Sequence, residues 1–291
     1  MCGIVGIVSN KSVSASIIGA LKKLEYRGYD SAGISTISNG QINEQKCSGR
    51  VDNLEKILFQ NPSTGDLGIG HVRWATHGIP NQVNAHPHSS EVVSVVHNGI
   101  IENSDSLRKE YKQKGYSFKS QTDTEVITVM LTDFLKKEDL INSIHKTLEK
   151  LEGSFALGVI FKDFNNLVVG ARRGSPLAVG YGHGENFIGS DSYALKSMTN
   201  KISYLDDGDF CILYKEKVEF YNSDKKKINK EIFELSNEEN VADKGDYKDF
   251  MSKEINEQSA TTKKCINEYL DKSRNEINIY NLPIDPKKIN K

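Results

Sequence analysis

The chain has 291 residues, of which 38 are basic and 39 acidic, for a formal net charge of −1. Balanced charge excludes the basic excess of a nucleic-acid-binding protein and the acidic excess of a disordered, solvating chain. The longest apolar runs, such as CGIVGIV at 2–8, fall far short of a membrane span, and the N-terminus lacks the basic and apolar regions of a secretory signal. Cys2, Cys47, Cys211 and Cys265 are scattered, with no CxxC pair, which argues against a disulfide framework and fits a reducing, cytoplasmic setting.

In chain order, apolar patterning predicts strands near 3–8 and 32–37, flanking a helix over 12–25 in which Val13, Ile17, Leu21 and Leu24 recur at helical spacing. A helix at 51–59 and strands at 66–72 and 92–97 follow, then helices at 103–114, 124–136 and 138–151. Strands are predicted again at 154–161, 167–172, 177–181, 186–190 and 209–222. Several strands run directly into another strand, which predicts a mainly antiparallel α+β layered domain rather than a doubly wound parallel sheet. GYGHGEN at 180–186 lacks phosphate-loop spacing and reads as a hairpin turn, and DKKK at 224–227 as a solvated turn between strands. No glycine follows Gly245, so we place a domain at 2–245 and a linker at 246–291, with one or two surface helices or a connector over 247–275 and an extended tail over 277–291.

The chemistry begins at Cys2. Removal of Met1 would leave a thiol and a free α-amine on one residue, and that amine is a plausible base for its own thiol. Position alone also allows a small buried cysteine opening a strand. Five of the seven histidines, His71, His77, His86, His88 and His97, fall in a single stretch. A zinc site at His86 and His88 is one reading, but no carboxylate or cysteine stands at a ligand spacing, and a rigid polar loop with side chains bonded to backbone fits equally well. Arg73, at a strand end, offers a fork for a carboxylate or for a salt bridge. Asn98-Gly99 reads either as a tight turn or as an amide and a backbone N–H side by side, the donors an oxyanion needs. Asp123 either caps the helix that follows or pairs with a ligand ammonium. Cys47, Cys211 and Cys265 read as packing or linker residues.

Taken together these motifs are familiar. CGIVG (2–6), LEYRGYDSAG (24–33), GHVRWATHG (70–78), NAHPH (84–88), HNGIIEN (97–103), TDTEVI (122–127), RGSPL (173–177), IGSDSYAL (188–195) and KEINEQ (253–258) occur in the order of the class II glutamine amidotransferases. The chain resembles these N-terminal-nucleophile (Ntn) hydrolases, and within them the glutaminase half of the glucosamine-6-phosphate synthases. The phosphoribosyl-pyrophosphate amidotransferases tend to carry RGQD and a tyrosine where this chain has RGYD (27–30) and Trp74, and the asparagine synthetases share little beyond the cysteine and the Asn-Gly pair.

The resemblance implies a four-layer αββα sandwich of two antiparallel sheets. It implies Cys2 as nucleophile, with Asn98 and Gly99 as the oxyanion hole. Arg73 would hold the α-carboxylate of L-glutamine and Asp123 its α-ammonium, with Thr76 and His77 lining the pocket, Trp74 as gate and Arg27 in the closing motif. It implies no metal or organic cofactor, and a partner half of sugar-isomerase domains, in a homodimer when full length, where ammonia and fructose 6-phosphate yield glucosamine 6-phosphate. The sequence stops at Lys291, about where that half would begin, so we expect a fragment or a separately encoded subunit that converts glutamine to glutamate and ammonia. At the junction the family usually has a histidine where Asp249 stands and a proline where Ser259 stands, while Met251, Lys253, Glu254, Glu257 and Gln258 match. Two other readings are a glutaminase serving another acceptor, such as a phosphoribosyl one, and a non-catalytic glutamine-binding module. The second would be marked by a lost nucleophile or oxyanion group, and neither is lost.

Overall fold

The computed structural model describes residues 2–235, 246–248, 250–271 and 276–277. The chain divides into two compact units, Met1–Glu239 and Asn240–Lys291. Asp249 and the tail beyond residue 277 lie outside the described residues.

The first unit opens with β1 (Gly3–Val8), α1 (Ser14–Leu24), β2 (Ser31–Ser38), β3 (Gln41–Ser48), α2 (Val51–Gln60) and β4 (Leu67–Arg73). A short β5 (His88–Ser89) and β6 (Val93–Ile101) precede three helices, α3 (Ser104–Gln113), α4 (Glu125–Phe134) and α5 (Leu140–Lys150). The rest is strand-rich: β7 (Gly153–Phe161), β8 (Phe164–Arg173), β9 (Ala178–Tyr181), β10 (Asn186–Gly189), α6 (Ser192–Leu195), β11 (Lys201–Tyr204), β12 (Phe210–Tyr214), β13 (Val218–Tyr221), β14 (Lys227–Ile228) and β15 (Phe233–Glu234). One sheet has the order β15-β11-β9-β10-β1-β4-β2-β3, and the other β14-β13-β12-β8-β7-β6-β5. The pairings in both are antiparallel.

The layering follows from where alternate side chains go. In β1, Val5 and Ile7 pack on α1 at Ile17 and Leu21, whereas Ile4 and Val8 pack on Val96, Ile160 and Val168 of the other sheet. A strand covered on both faces has no solvent side, which is why GIVGIV is a continuous apolar run. On the outer face of the second sheet, Val95, Leu157 and Val169 meet Val126, Met130 and Ile144 from α4 and α5. Helices, sheet, sheet and helices thus stack as the expected αββα sandwich.

The sequence reading missed β3, β11, the two-residue strands β5 and β15, and the single-turn helix α6. β3 lies at the sheet edge, has mostly polar residues that are exposed or partly buried, and carries little apolar signal. The single run read at 209–222 is the β12–β13 hairpin. Both turns are as read: Gly182 donates to the Glu185 carbonyl at 2.9 Å between β9 and β10, and the lysine run follows β13 into β14. Cys47 and Cys211 are buried in the core and Cys265 is exposed.

In the second unit, α7 (Phe250–Tyr269) is one helix of 20 residues, with Met251, Ile255 and Ile266 exposed. Ser259 lies inside it, where a proline would remove a backbone N–H from the helix interior. Among the described residues no helix is long and apolar enough to cross a membrane.

Candidate active site

Strand register brings the N-terminal residues to the end of β4. Gly3 stands opposite Val72, so Cys2, one residue further out, meets the chain as it leaves β4 at Trp74. The Cys2 Sγ accepts the Trp74 N–H at 3.2 Å and donates to the Trp74 carbonyl at 3.5 Å. From the facing sheet, the Asn98 Nδ2 donates to the Cys2 carbonyl oxygen at 3.0 Å. Burial pushes the Cys2 thiol up, while the Trp74 N–H and the nearby Arg73 charge pull it down. A thiol held neutral in this way needs a base at the moment of attack.

Cys2 opens on a narrow recess whose wall includes Arg73, Trp74, Thr76, His77, Gly99 and Asp123. Seven of the nine residues singled out as catalytic, binding or gating therefore share one cavity, and Asn98 touches the nucleophile from its rim. Arg27 is the exception: its Nε donates to Asp191 Oδ2 at 3.0 Å and to the Tyr26 hydroxyl at 3.1 Å.

Arg73 is buried, and its guanidinium is half committed. Nη2 donates to the carbonyls of His77 and Gly78, whereas Nη1 is buried without a hydrogen-bond partner among the described residues. An unpaired buried donor is costly, so Nη1 is poised for an acceptor on a ligand. Asp123 does not cap α4. Its Oδ2 accepts the Ile101 backbone N–H at 2.8 Å, which ties the loop before α4 to the end of β6. That bond holds a carboxylate in the cavity wall. One fixed cation and one fixed anion thus line the same small recess.

Asn98 and Gly99 do not form a turn. Both lie within β6, with Asn98 opposite Ala156 and Gly99 opposite Phe155. Gly99 has φ +129°, and a β-carbon there would stand 2.0 Å from the Ser154 carbonyl oxygen, so only glycine fits. The dipeptide reads as a turn because Asn-Gly favours positive φ, and here that conformation is used inside a strand beside the nucleophile.

The histidines form a buried stack. His71 lies on His86 with ring centroids 4.2 Å apart, and His86 meets His88 edge-on at 4.8 Å. The Thr124 hydroxyl bonds His86 Nε2 at 2.8 Å and His97 Nδ1 at 2.9 Å, and the Thr122 hydroxyl bonds His88 Nε2 at 2.9 Å. The sequence reading of 84–88 as a polar loop with side chains bonded to backbone holds for Asn84, whose Nδ2 donates to the Ile79 carbonyl and whose Oδ1 accepts the Gln121 N–H, whereas the ring partners of His86 and His88 are threonine hydroxyls. Among the described residues no group of three or more His, Cys, Asp or Glu is placed to hold a metal ion.

Three contributors were not singled out from sequence. Asp30 accepts the Ala75 N–H on Oδ2 at 2.5 Å and donates its own N–H to the Arg73 carbonyl at 3.1 Å, clamping the chain that carries Trp74. Ser190 Oγ accepts Asn98 Nδ2 at 2.8 Å, and His71 Nε2 lies 3.1 Å from Asn98 Oδ1. All three sit inside motifs that carry the resemblance, but no spacing rule connects Ser190 to a residue 92 positions away.

Residues 71–197 match the glutamine amidotransferase domain family. The chain is 46% identical over 290 residues to the glutamine–fructose-6-phosphate aminotransferase (isomerizing) of Mesorhizobium japonicum, a match covering 99% of this chain and 48% of that protein. It is 49% identical over 260 residues to the enzyme of the same name from Clostridium acetobutylicum, covering 89% of this chain and 43% of that one. The chain thus spans about half the length of the curated relatives it matches. A solved structure of the glutamine phosphoribosylpyrophosphate amidotransferase of B. subtilis superposes with a TM-score of 0.64 at 24% identity, covering 76% of this chain and 49% of that one, a likeness of fold. The chain carries a glutamine amidotransferase domain with the N-terminal-nucleophile hydrolase fold, of the kind that forms the N-terminal half of the glutamine–fructose-6-phosphate aminotransferases.

Proposed function

We propose that this chain hydrolyses the side-chain amide of L-glutamine and is the ammonia-supplying half of a glutamine–fructose-6-phosphate aminotransferase. Once Met1 is removed, the Cys2 α-amine takes the thiol proton and Sγ attacks the amide carbon. The carbonyl oxygen gains negative charge beside the Gly99 N–H and the Asn98 NH₂, whose hydrogen now on the Cys2 carbonyl turns to the oxyanion while the other stays on Ser190 Oγ. The α-ammonium returns the proton to the leaving nitrogen, the C–N bond breaks, and ammonia departs from a thioester. Water, deprotonated by the same amine, attacks the thioester, and glutamate leaves as the thiol is regenerated.

Glutamine is a zwitterion at its backbone end, so the reading assigns Arg73 to its α-carboxylate and Asp123 to its α-ammonium, with Thr76 and His77 beside them. A polar site of this kind rejects analogues lacking either charge, because its own groups would be left unpaired. Trp74 is assigned as the gate. Arg27, which ties the end of α1 to Asp191, anchors the segment that closes over the nucleophile. No metal or cofactor enters any step. The observation that supports the reading is that Cys2, Arg73, Gly99 and Asp123 line one recess, with the Asn98 amide on the Cys2 carbonyl and an Arg73 Nη1 that has no hydrogen-bond partner among the described residues.

The acceptor half, with its fructose 6-phosphate site, would follow the 246–291 linker or belong to a partner chain, in a cytoplasmic homodimer. The test is glutamate release from glutamine by the purified chain beside a Cys2→Ala variant. Release by the first alone supports the reading, and equal release by both refutes it. Intact mass gives the second check, since a Met1-bearing chain that is fully active would sink the amine as base.

A further inference from the structure

One buried histidine, His71, is not among the residues lining the recess, yet it bonds the side chain of the residue assigned to stabilise the oxyanion. His71 Nε2 lies 3.0 Å from the His97 carbonyl oxygen and 3.1 Å from Asn98 Oδ1. A carbonyl oxygen only accepts, so Nε2 carries the hydrogen, and its second neighbour must also be an acceptor. That fixes which end of the Asn98 amide faces His71.

The other end gives the same assignment independently. Asn98 Nδ2 stands 3.0 Å from the Cys2 carbonyl oxygen, again a pure acceptor, and 2.8 Å from Ser190 Oγ. Ser190 Oγ is itself held by the Ile4 N–H at 2.6 Å, and the Ser190 N–H donates to the Ile4 carbonyl at 3.0 Å, so the acceptor is fixed to the backbone of β1. His71 also stacks on His86, and its Nδ1 is buried without a partner among the described residues, as suits the nitrogen that carries no proton. Burial drives the His71 pKa down to about 3, so the ring stays neutral with one N–H across the neutral range. The opposite amide orientation would set Asn98 Oδ1 against the Cys2 carbonyl and its NH₂ against the His71 N–H.

We infer that His71 and Ser190 are positioning residues: together they fix the Asn98 side chain with its NH₂, and not its oxygen, toward Cys2. The inference rests on the reading of Asn98 as an oxyanion donor. A flipped amide would present a carbonyl oxygen to the developing negative charge and turn a stabilising contact into a repulsive one.

The experiment is a double-mutant cycle on the full chain, with kcat for glutamate release measured beside the affinity for L-glutamate by calorimetry. His71→Leu and Asn98→Ala are each expected to lower kcat about 10²-fold, with the double variant no slower than Asn98→Ala alone. Glutamate affinity is expected to stay within about twofold, because Arg73 and Asp123 are untouched. His71→Gln, which can return an N–H near the position of Nε2, is expected to recover most of the lost kcat. Losses that multiply in the double variant overturn the positioning role and leave the Asn98 assignment standing. An unchanged kcat in Asn98→Ala overturns the oxyanion reading itself. Should His71→Leu fail to fold, Ser190→Ala carries the same cycle: about a tenfold loss is expected in the parent and none in the Asn98→Ala background, and equal losses in both overturn the inference.

Discussion

Gly28 lies so close to the backbone of Arg73 that a β-carbon on it would stand 2.7 Å from the Arg73 carbonyl oxygen and 2.9 Å from the Trp74 nitrogen. Both atoms belong to main chain, which cannot yield as a flexible side chain would. The same Trp74 nitrogen donates to the Cys2 Sγ. Gly28→Ala is therefore expected to displace the chain that positions the nucleophile, and a shift of about 1 Å there costs on the order of 10²-fold in rate. Overpacking of this kind costs about 1–3 kcal/mol of stability, so the variant should still fold. Glutamate-release kinetics with a urea melt checks this, and full activity in a folded Gly28→Ala would contradict it.

Much of this was legible in the sequence, and the reasons are particular. Cys2 announces itself because a nucleophile that uses its own amine must stand at a chain end. The Asn-Gly pair is visible because positive φ restricts residue choice. What stayed hidden is what needs three dimensions. His71 looked like one member of a histidine-rich stretch, since nothing in sequence distinguishes a stacked neutral ring from a ligand. Asp123 reads in sequence as a helix cap or as a partner for an ammonium, and nothing in its spacing shows that its carboxylate holds the Ile101 N–H. β3 was missed because an edge strand with one wet face has little apolar signal to offer.

Arg73 tests the carboxylate assignment. Lysine keeps the charge but loses the fork, so it cannot both hold the His77 and Gly78 carbonyls and present a free donor to a ligand. Arg73→Lys is expected to raise KM for glutamine about 10²-fold with a much smaller change in kcat. An unaltered KM would remove Arg73 from the binding site.

The buried histidines predict an acid limit to stability. Burial lowers the pKa of His71 to about 3, lowers His86 and His88 well below the ordinary value near 6.5, and lowers His97 as well. Each of these groups binds its proton more readily when unfolded. Their contribution is therefore complete above the ordinary value and is lost as pH falls through 6.5 toward the folded values. Every proton taken up on unfolding steepens the loss by about 1.4 kcal/mol per pH unit. The urea midpoint should hold steady from about pH 8 to 7 and fall steeply between about pH 6 and 5. A midpoint that stays flat down to pH 5 would mean that these rings are not buried as neutral groups.

Asp123 separates recognition of the ammonium from support of the fold. Its Oδ2 holds the Ile101 N–H, and an asparagine amide oxygen can take that bond in the same place. Asp123→Asn therefore keeps the link between β6 and the segment before α4 but removes the negative charge from the recess. A charge-assisted contact to an ammonium is worth about 1.5–3 kcal/mol, which corresponds to roughly a 10–100-fold rise in KM for glutamine. Because the loss is specific to the ammonium, the variant should no longer discriminate between glutamine and its desamino analogue, whereas the parent strongly prefers glutamine. Thermal melts of the two proteins should coincide within about 3 °C. If Asp123→Asn keeps both its KM and its preference, the ammonium is held elsewhere and Asp123 serves only the backbone of β6.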